Sequence, residues 1–147
     1  MAKVFANEDG NLSNRPITTT VRRSYSDIDC SFEANEFSGD IYKKTDAAAV
    51  KQSVKNLLLT RRGEKPFNPY YGSGLYDIMF SLSTEVDEDD VSNYIRSAIG
   101  NNEPRVKLLD IKTLFSPDYN SADITVEFQV INTLETTTVT VTISRNR

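Results

Sequence analysis

Three carboxylates, Glu64, Asp77 and Glu103, and one compact pair of opposite charges in Glu103-Pro104-Arg105 are the side chains whose types could do chemistry here. Two carboxylates flanking a sugar suffice for glycoside hydrolysis, one supplying a proton and the other acting as base or nucleophile. Other chemistries are cut away by composition. The chain has no histidine and a single cysteine, Cys30, which removes Ser-His and Cys-His nucleophiles and the usual zinc sites. An intrachain disulfide is impossible. Carboxylate chemistry or none remains, with no cofactor and no metal site expected. No residue pattern marks a saccharide cleft, and tryptophan, a common sugar-stacking residue, is absent.

The Glu103-Pro104-Arg105 segment carries more. Proline fixes its own φ, lacks an N–H and pushes Glu103 into extended geometry. Residues two apart on extended chain project to the same side, so a stiff loop would present one carboxylate and one guanidinium together. Two readings follow: a turn stapled by its own salt bridge, worth little if exposed, or a docking point. Arginine's planar fork suits bidentate contact with a partner's carboxylate or carbonyls.

These residues must be held by elements legible as periodicity. A helix is expected from Thr45 or Asp46, with Ala47, Val50, Val54, Leu57 and Leu58 on one face. Lys51, Lys55 and Arg62 form a basic stripe elsewhere on it, a solvated face or a secondary binding face. Arg61 and Arg62 suit its C-terminal end and Gly63 its termination. In residues 63–74, Pro66 and Pro69 forbid helix, and Phe67, Tyr70 and Tyr71 are expected to cover the core. Gly72-Ser73-Gly74 lacks the Lys and Ser/Thr of a phosphate loop. A short helix follows, with Leu75, Ile78, Met79 and Leu82 inward. Asp87 can cap a second strong helix whose first turn holds Glu88, Asp89 and Asp90, where the helix dipole stabilises negative charge. Its stripe is Val91, Tyr94, Ile95, Ala98 and Ile99, and Gly100 is read as its stop.

The last third is β. Leu109, Ile111, Thr113 and Phe115 form one face of a strand that ends in a Ser116-Pro117-Asp118 turn. Ile124, Val126, Phe128 and Val130 form the best amphipathic strand, and Val139, Val141 and Ile143 alternate with threonines in the last. Ile28, Cys30 and Phe32 suggest a short extended segment with Cys30 buried; after a turn at Ser38-Gly39-Asp40, Ile41-Tyr42 would pair back. The fold class is α+β: a small antiparallel sheet, a C-terminal meander plus short N-terminal extended segments, packed against two main amphipathic helices and one short helix. Residues 1–23 read as a polar arm, flexible or ordered on a partner, and 24–147 as a single domain. A net charge of −4 argues against a general nucleic-acid binder, and no apolar run is long enough to span a bilayer.

In order along the chain stand Tyr25, Asp27-Ile28-Asp29, Gly39-Asp40, Val50-Lys51-Gln52-Ser53, Asn56-Leu57-Leu58-Leu59-Thr60, Gly63-Glu64-Lys65-Pro66-Phe67, Pro69, Gly72-Ser73-Gly74-Leu75, Ile95, Ala98-Ile99 and Glu103-Pro104-Arg105-Val106. This ordered combination resembles the baseplate-wedge, sheath-initiator family of contractile phage tails, related to a type VI secretion baseplate component. The resemblance implies a structural, non-enzymatic virion protein assembled in the host cytoplasm, six copies per baseplate around the tail tube. Its implied partners are the helical core bundle of the wedge proteins, held through Glu103, Pro104 and Arg105, and tail sheath subunits, whose arms would pair with the sheet. No nucleic acid or membrane partner is implied. Members of the family have also been labelled lysozyme-like, which keeps a carboxylate-based peptidoglycan hydrolase as the alternative. A generic adaptor working through the basic stripe is a third reading.

Overall fold

The computed structural model describes residues 24–80, 88–116 and 121–144. The arm at 1–23, the cap at Asp87, Leu82 and the turn at Pro117-Asp118 lie outside the described residues. A short antiparallel hairpin comes first, β1 (Ser26–Ile28) pairing with β2 (Lys43–Thr45). Helix α1 (Asp46–Leu59), short helix α2 (Leu75–Phe80) and helix α3 (Glu88–Asn102) follow, then β3 (Val106–Ser116), β4 (Ser121–Val130) and β5 (Thr136–Ser144). The last three form an antiparallel meander in the order β3-β4-β5. The α+β expectation holds.

One layer of helix packs on one face of that sheet. α1 lies against β5 and α3 against β3. β4, central and paired on both sides, alternates without a break: Ala122, Ile124, Val126, Phe128 and Val130 are buried, and the residues between them are half-buried. Its apolar face meets Val50, Val54, Leu57 and Leu58 of α1 and Val91, Ile95 and Ile99 of α3 in one cluster, joined by Val139, Val141 and Ile143 of β5. Phe128 is the largest fully buried side chain of the cluster. The opposite sheet face is polar, where Thr125 and Thr140 hydroxyls meet at 3.3 Å and Thr142 donates to Asp123 Oδ1 at 2.6 Å.

Several local expectations change. β3 carries a bulge: Leu108 pairs with Phe128 and Asp110 with Glu127, which leaves Leu109 as an extra residue. The inward face therefore switches from Val106 and Leu108 to Ile111 and Thr113, and Leu109 is exposed instead of sharing the core face. α1 ends at Leu59, before Arg61, Arg62 and Gly63. Ser73 closes its end: its N–H donates to Thr60 O at 2.9 Å and its Oγ to Leu58 O at 2.6 Å. Only glycine fits at 72, where φ is +114° and a Cβ would stand 2.6 Å from Thr60 O. Gly100 does not stop α3, which runs on to Asn102. Phe67 and Tyr70 are exposed and do not cover the core; Tyr71 does pack against it. Cys30 is exposed as well. The hairpin turn at 38–40 is observed, with Ile41 bridging Ala34 and Asp29 N–H donating to Tyr42 O at 2.9 Å.

Candidate functional site: the Glu-Pro-Arg corner

Glu103 and Arg105 do project to one side, and they take each other. Arg105 Nε donates to Glu103 Oε1 at 2.6 Å and Nη2 to Oε2 at 2.7 Å, a bidentate fork. Ser53 Oγ, fifty residues away on α1, donates to Oε2 at 2.6 Å. Glu103 is 4 % exposed, while a third of the Arg105 side chain remains open. Pro104 is exposed between them. Backbone bonds fix the corner on both flanks: Glu103 N–H donates to Ile99 O at 2.8 Å, and Ile131 N–H to Arg105 O at 3.0 Å. Tyr25, just before β1, lays its ring 5.2 Å from the guanidinium.

The electrostatics follow from that packing. Burial pushes the Glu103 carboxyl up, but the hydrogen bonds from Arg105 and Ser53 and the guanidinium's charge outweigh it and hold it below the ordinary carboxylate value. The bond to Glu103 raises Arg105 in turn. Burial, then the Glu103 charge, raises the nearby Tyr71 phenol. Glu103 is thus a fixed anion already spoken for, the reverse of a glycosidase acid, which needs a raised pKa. The other two carboxylates are exposed. Glu64 Oε2 accepts from Arg61 N–H at 2.9 Å and so serves the loop's own turn, and Asp77 stands in the first turn of α2. No group of acidic residues able to hold a metal ion occurs among the described residues.

Of the basic stripe, Lys51 and Lys55 are exposed on α1. Arg62 lies beyond the helix end, with its guanidinium 6.0 Å from the Tyr94 ring. Neither Ser53 nor Tyr25 stands out in the sequence as part of the corner; both fall inside segments that carry the family resemblance, the one signal that points to them.

A helix-to-strand corner locked by a half-buried fork, on a three-stranded sheet whose outer strands have no further strand partner among the described residues, has the build of an assembly module. Comparison with known proteins places it. Residues 44–137, more than half of the chain, match the family described as baseplate wedge protein gp25. The baseplate wedge protein gp25 of Enterobacteria phage T4 is 30 % identical over 112 residues, which are 76 % of this chain and 84 % of that protein. The chain belongs to the baseplate wedge protein gp25 family. It is a structural component of a contractile tail, located in the virion's tail baseplate. Among solved structures, a protein provisionally described as a tail lysozyme from Geobacter sulfurreducens shares the fold with a TM-score of 0.57 at 25 % identity, covering 67 % of this chain and 89 % of that one. A chain of the anti-feeding prophage baseplate shares it at 0.64 and 23 %, covering 74 % and 87 %. A chain of the type VI secretion baseplate complex does so at 0.56 and 14 %, covering 67 % and 93 %.

Proposed function

We propose that this protein links the wedge core to the sheath and starts sheath assembly by accepting an extended arm on the outer edge of β5. The observation that carries this reading is the state of that edge. Val130 N–H donates to Glu135 O at 3.0 Å, on the register that continues through Gln129–Thr136 to Ser121–Ser144. Hydrogen-bonded and non-hydrogen-bonded pairs alternate along an antiparallel ladder. The N–H groups of Thr137, Val139, Val141 and Ile143 therefore face β4, and those of Thr136, Thr138, Thr140 and Thr142 face outward. No strand takes these outward groups among the described residues. A partner's extended segment satisfies them by β-augmentation.

The Glu-Pro-Arg corner would face the wedge core bundle. Its internal fork does not exclude this: two of the five guanidinium N–H groups hold Glu103, and the open side of Arg105 with Pro104 offers the contact. Six copies, one per wedge, follow by analogy.

Proline at 140 tests the edge. It removes one outward N–H without touching the ladder to β4. Baseplates reconstituted with Thr140→Pro should assemble but fail to nucleate sheath. Normal sheath growth on them would refute the edge assignment.

A further inference from the structure

We propose that neighbouring copies of this chain associate head to tail, the acidic aromatic hairpin of one seating on the basic aromatic loop of the next. This goes beyond the strand-pairing reading and does not rest on it. The hairpin segment, residues 24–42, precedes the stretch that matches the family. It contains Asp27, Asp29, Glu33, Glu36 and Asp40 and no lysine or arginine; the strand that closes it adds Lys43 and Lys44, and Lys44 Nζ donates to Asp29 Oδ1 at 2.8 Å, so the acidic surplus is carried by Asp27, Glu33, Glu36 and Asp40. Three of its apolar side chains face solvent: Phe37 is fully exposed, Phe32 is 68 % exposed and Ile28 54 %. The loop after α1 is its opposite. Residues 61–71 carry Arg61, Arg62 and Lys65 against a single Glu64, and they expose Phe67 fully and Tyr70 almost so.

Both surfaces are built, and both hold an aromatic at a conformational cost. Phe32 (φ +54°) and Phe67 (φ +64°) lie in the left-handed region, which bulky side chains rarely adopt. Each sits in a turn fixed by backbone bonds: Phe32 N–H to Asp29 O at 3.1 Å in the hairpin, and Gly63 N–H to Pro69 O at 2.9 Å in the loop. Lys65 lies 4.0 Å over the Tyr71 ring, which stiffens the loop further. Strain spent on aiming an aromatic at solvent gains nothing for the isolated fold. An intermolecular contact recovers it.

The occupant is set by complementarity. The basic loop calls for an exposed, acidic, aromatic-bearing surface, and the same chain presents one. Glu33, Glu36, Arg62 and Lys65 make no ion pair among the described residues; the two cations lie only against rings, Arg62 6.0 Å from Tyr94 and Lys65 4.0 Å from Tyr71, contacts that leave their charge unneutralised. Two different patches meeting make a heterologous contact, which repeats from copy to copy and closes into a ring where the rotation allows.

Sedimentation velocity on the full chain tests this, at concentrations up to about 1 mM, where even a Kd of about 1 mM is visible. The wild type should associate with increasing concentration and dissociate as salt rises to about 0.5 M, where screening acts within about 4 Å. Glu33→Lys/Glu36→Lys and Arg62→Glu/Lys65→Glu should each stay monomeric with unchanged circular dichroism. Their equimolar mixture should associate again, because each reversed patch then meets its complement. Phe67→Ser should weaken association at every salt concentration. A wild type that stays monomeric throughout, association indifferent to either charge reversal, or a mixture that fails to recover would each overturn the proposal.

Discussion

The two edges of the three-stranded sheet are built to opposite ends. β3 carries a bulge at Leu109 and three charged side chains, Lys107, Asp110 and Lys112, with Lys112 reaching Asp110 at 3.7 Å. Bulges and edge lysines are the ordinary means of stopping a free strand from pairing with a stranger. β5 has neither. It is regular from Thr136 to Ser144, carries no charge and no proline, and shows threonines to solvent over a face of Val139, Val141 and Ile143. Solubility there rests on hydroxyls, which do not obstruct a new strand. A protein protecting itself from aggregation would blunt both edges; one that blunts a single edge leaves the other open, as the proposed strand pairing requires.

The largest expected effect removes what both edges share. Phe128→Ala on central β4 empties the middle of the core and should cost about 3–5 kcal/mol, read as a fall in the urea midpoint, with sheath nucleation lost through unfolding. Val141→Pro comes next. It deletes a ladder bond to β4 and leaves a buried carbonyl there unpaired, at a cost of about 1–3 kcal/mol, whereas Thr140→Pro, one residue away, should cost far less while abolishing nucleation. Equal destabilisation by the two prolines would break the alternation on which the edge assignment stands.

Arg105→Ala leaves a buried carboxylate with Ser53 alone. With a third of Arg105 open to solvent, the loss should be about 1–3 kcal/mol, so a wedge-incorporation defect in that variant must be separated from instability. Pro104→Ala keeps the fork and is the cleaner probe of docking. The corner also sets a pH dependence. Glu103's folded pKa is depressed, so its contribution is complete above the unfolded carboxylate value of about 4.3 and is lost as pH falls through the lower folded value. Glu103→Gln should flatten the acid limb of stability below about pH 4, measured by thermal melts across pH. Deleting Leu109 should have the smallest effect on stability: it regularises β3 and should raise edge-to-edge self-association in light scattering only slightly, because Lys107 and Lys112 remain.

Much of this was legible in the sequence, and the misses have local causes. β4 and β5 could be read residue by residue because one face is buried and the period is 2. The bulge could not, because Leu108 and Leu109 are the same residue type and an extra leucine leaves no compositional mark. The end of α1 was misplaced because Ser73, not Gly63, satisfies its last carbonyls, and a cap thirteen residues past Thr60 is invisible to local rules. At the corner, Glu103 and Arg105 share a side as expected, but through a turn closed by Val106 N–H to Glu103 O at 3.3 Å and not through extended chain. That the fork turns inward depends on Ser53, which only the packing of α1 against α3 brings near.

Hydrogen exchange at the outward amides tests the central claim most directly. In the free chain, Thr138, Thr140 and Thr142 should exchange quickly, while Val139 and Val141 are protected by β4. In baseplates carrying the first sheath ring, those three threonine amides should become protected and the outward amides of β3, such as that of Thr113, should not change. Threonine amides that stay fast in the assembled particle, or protection appearing on β3 instead, would contradict the account.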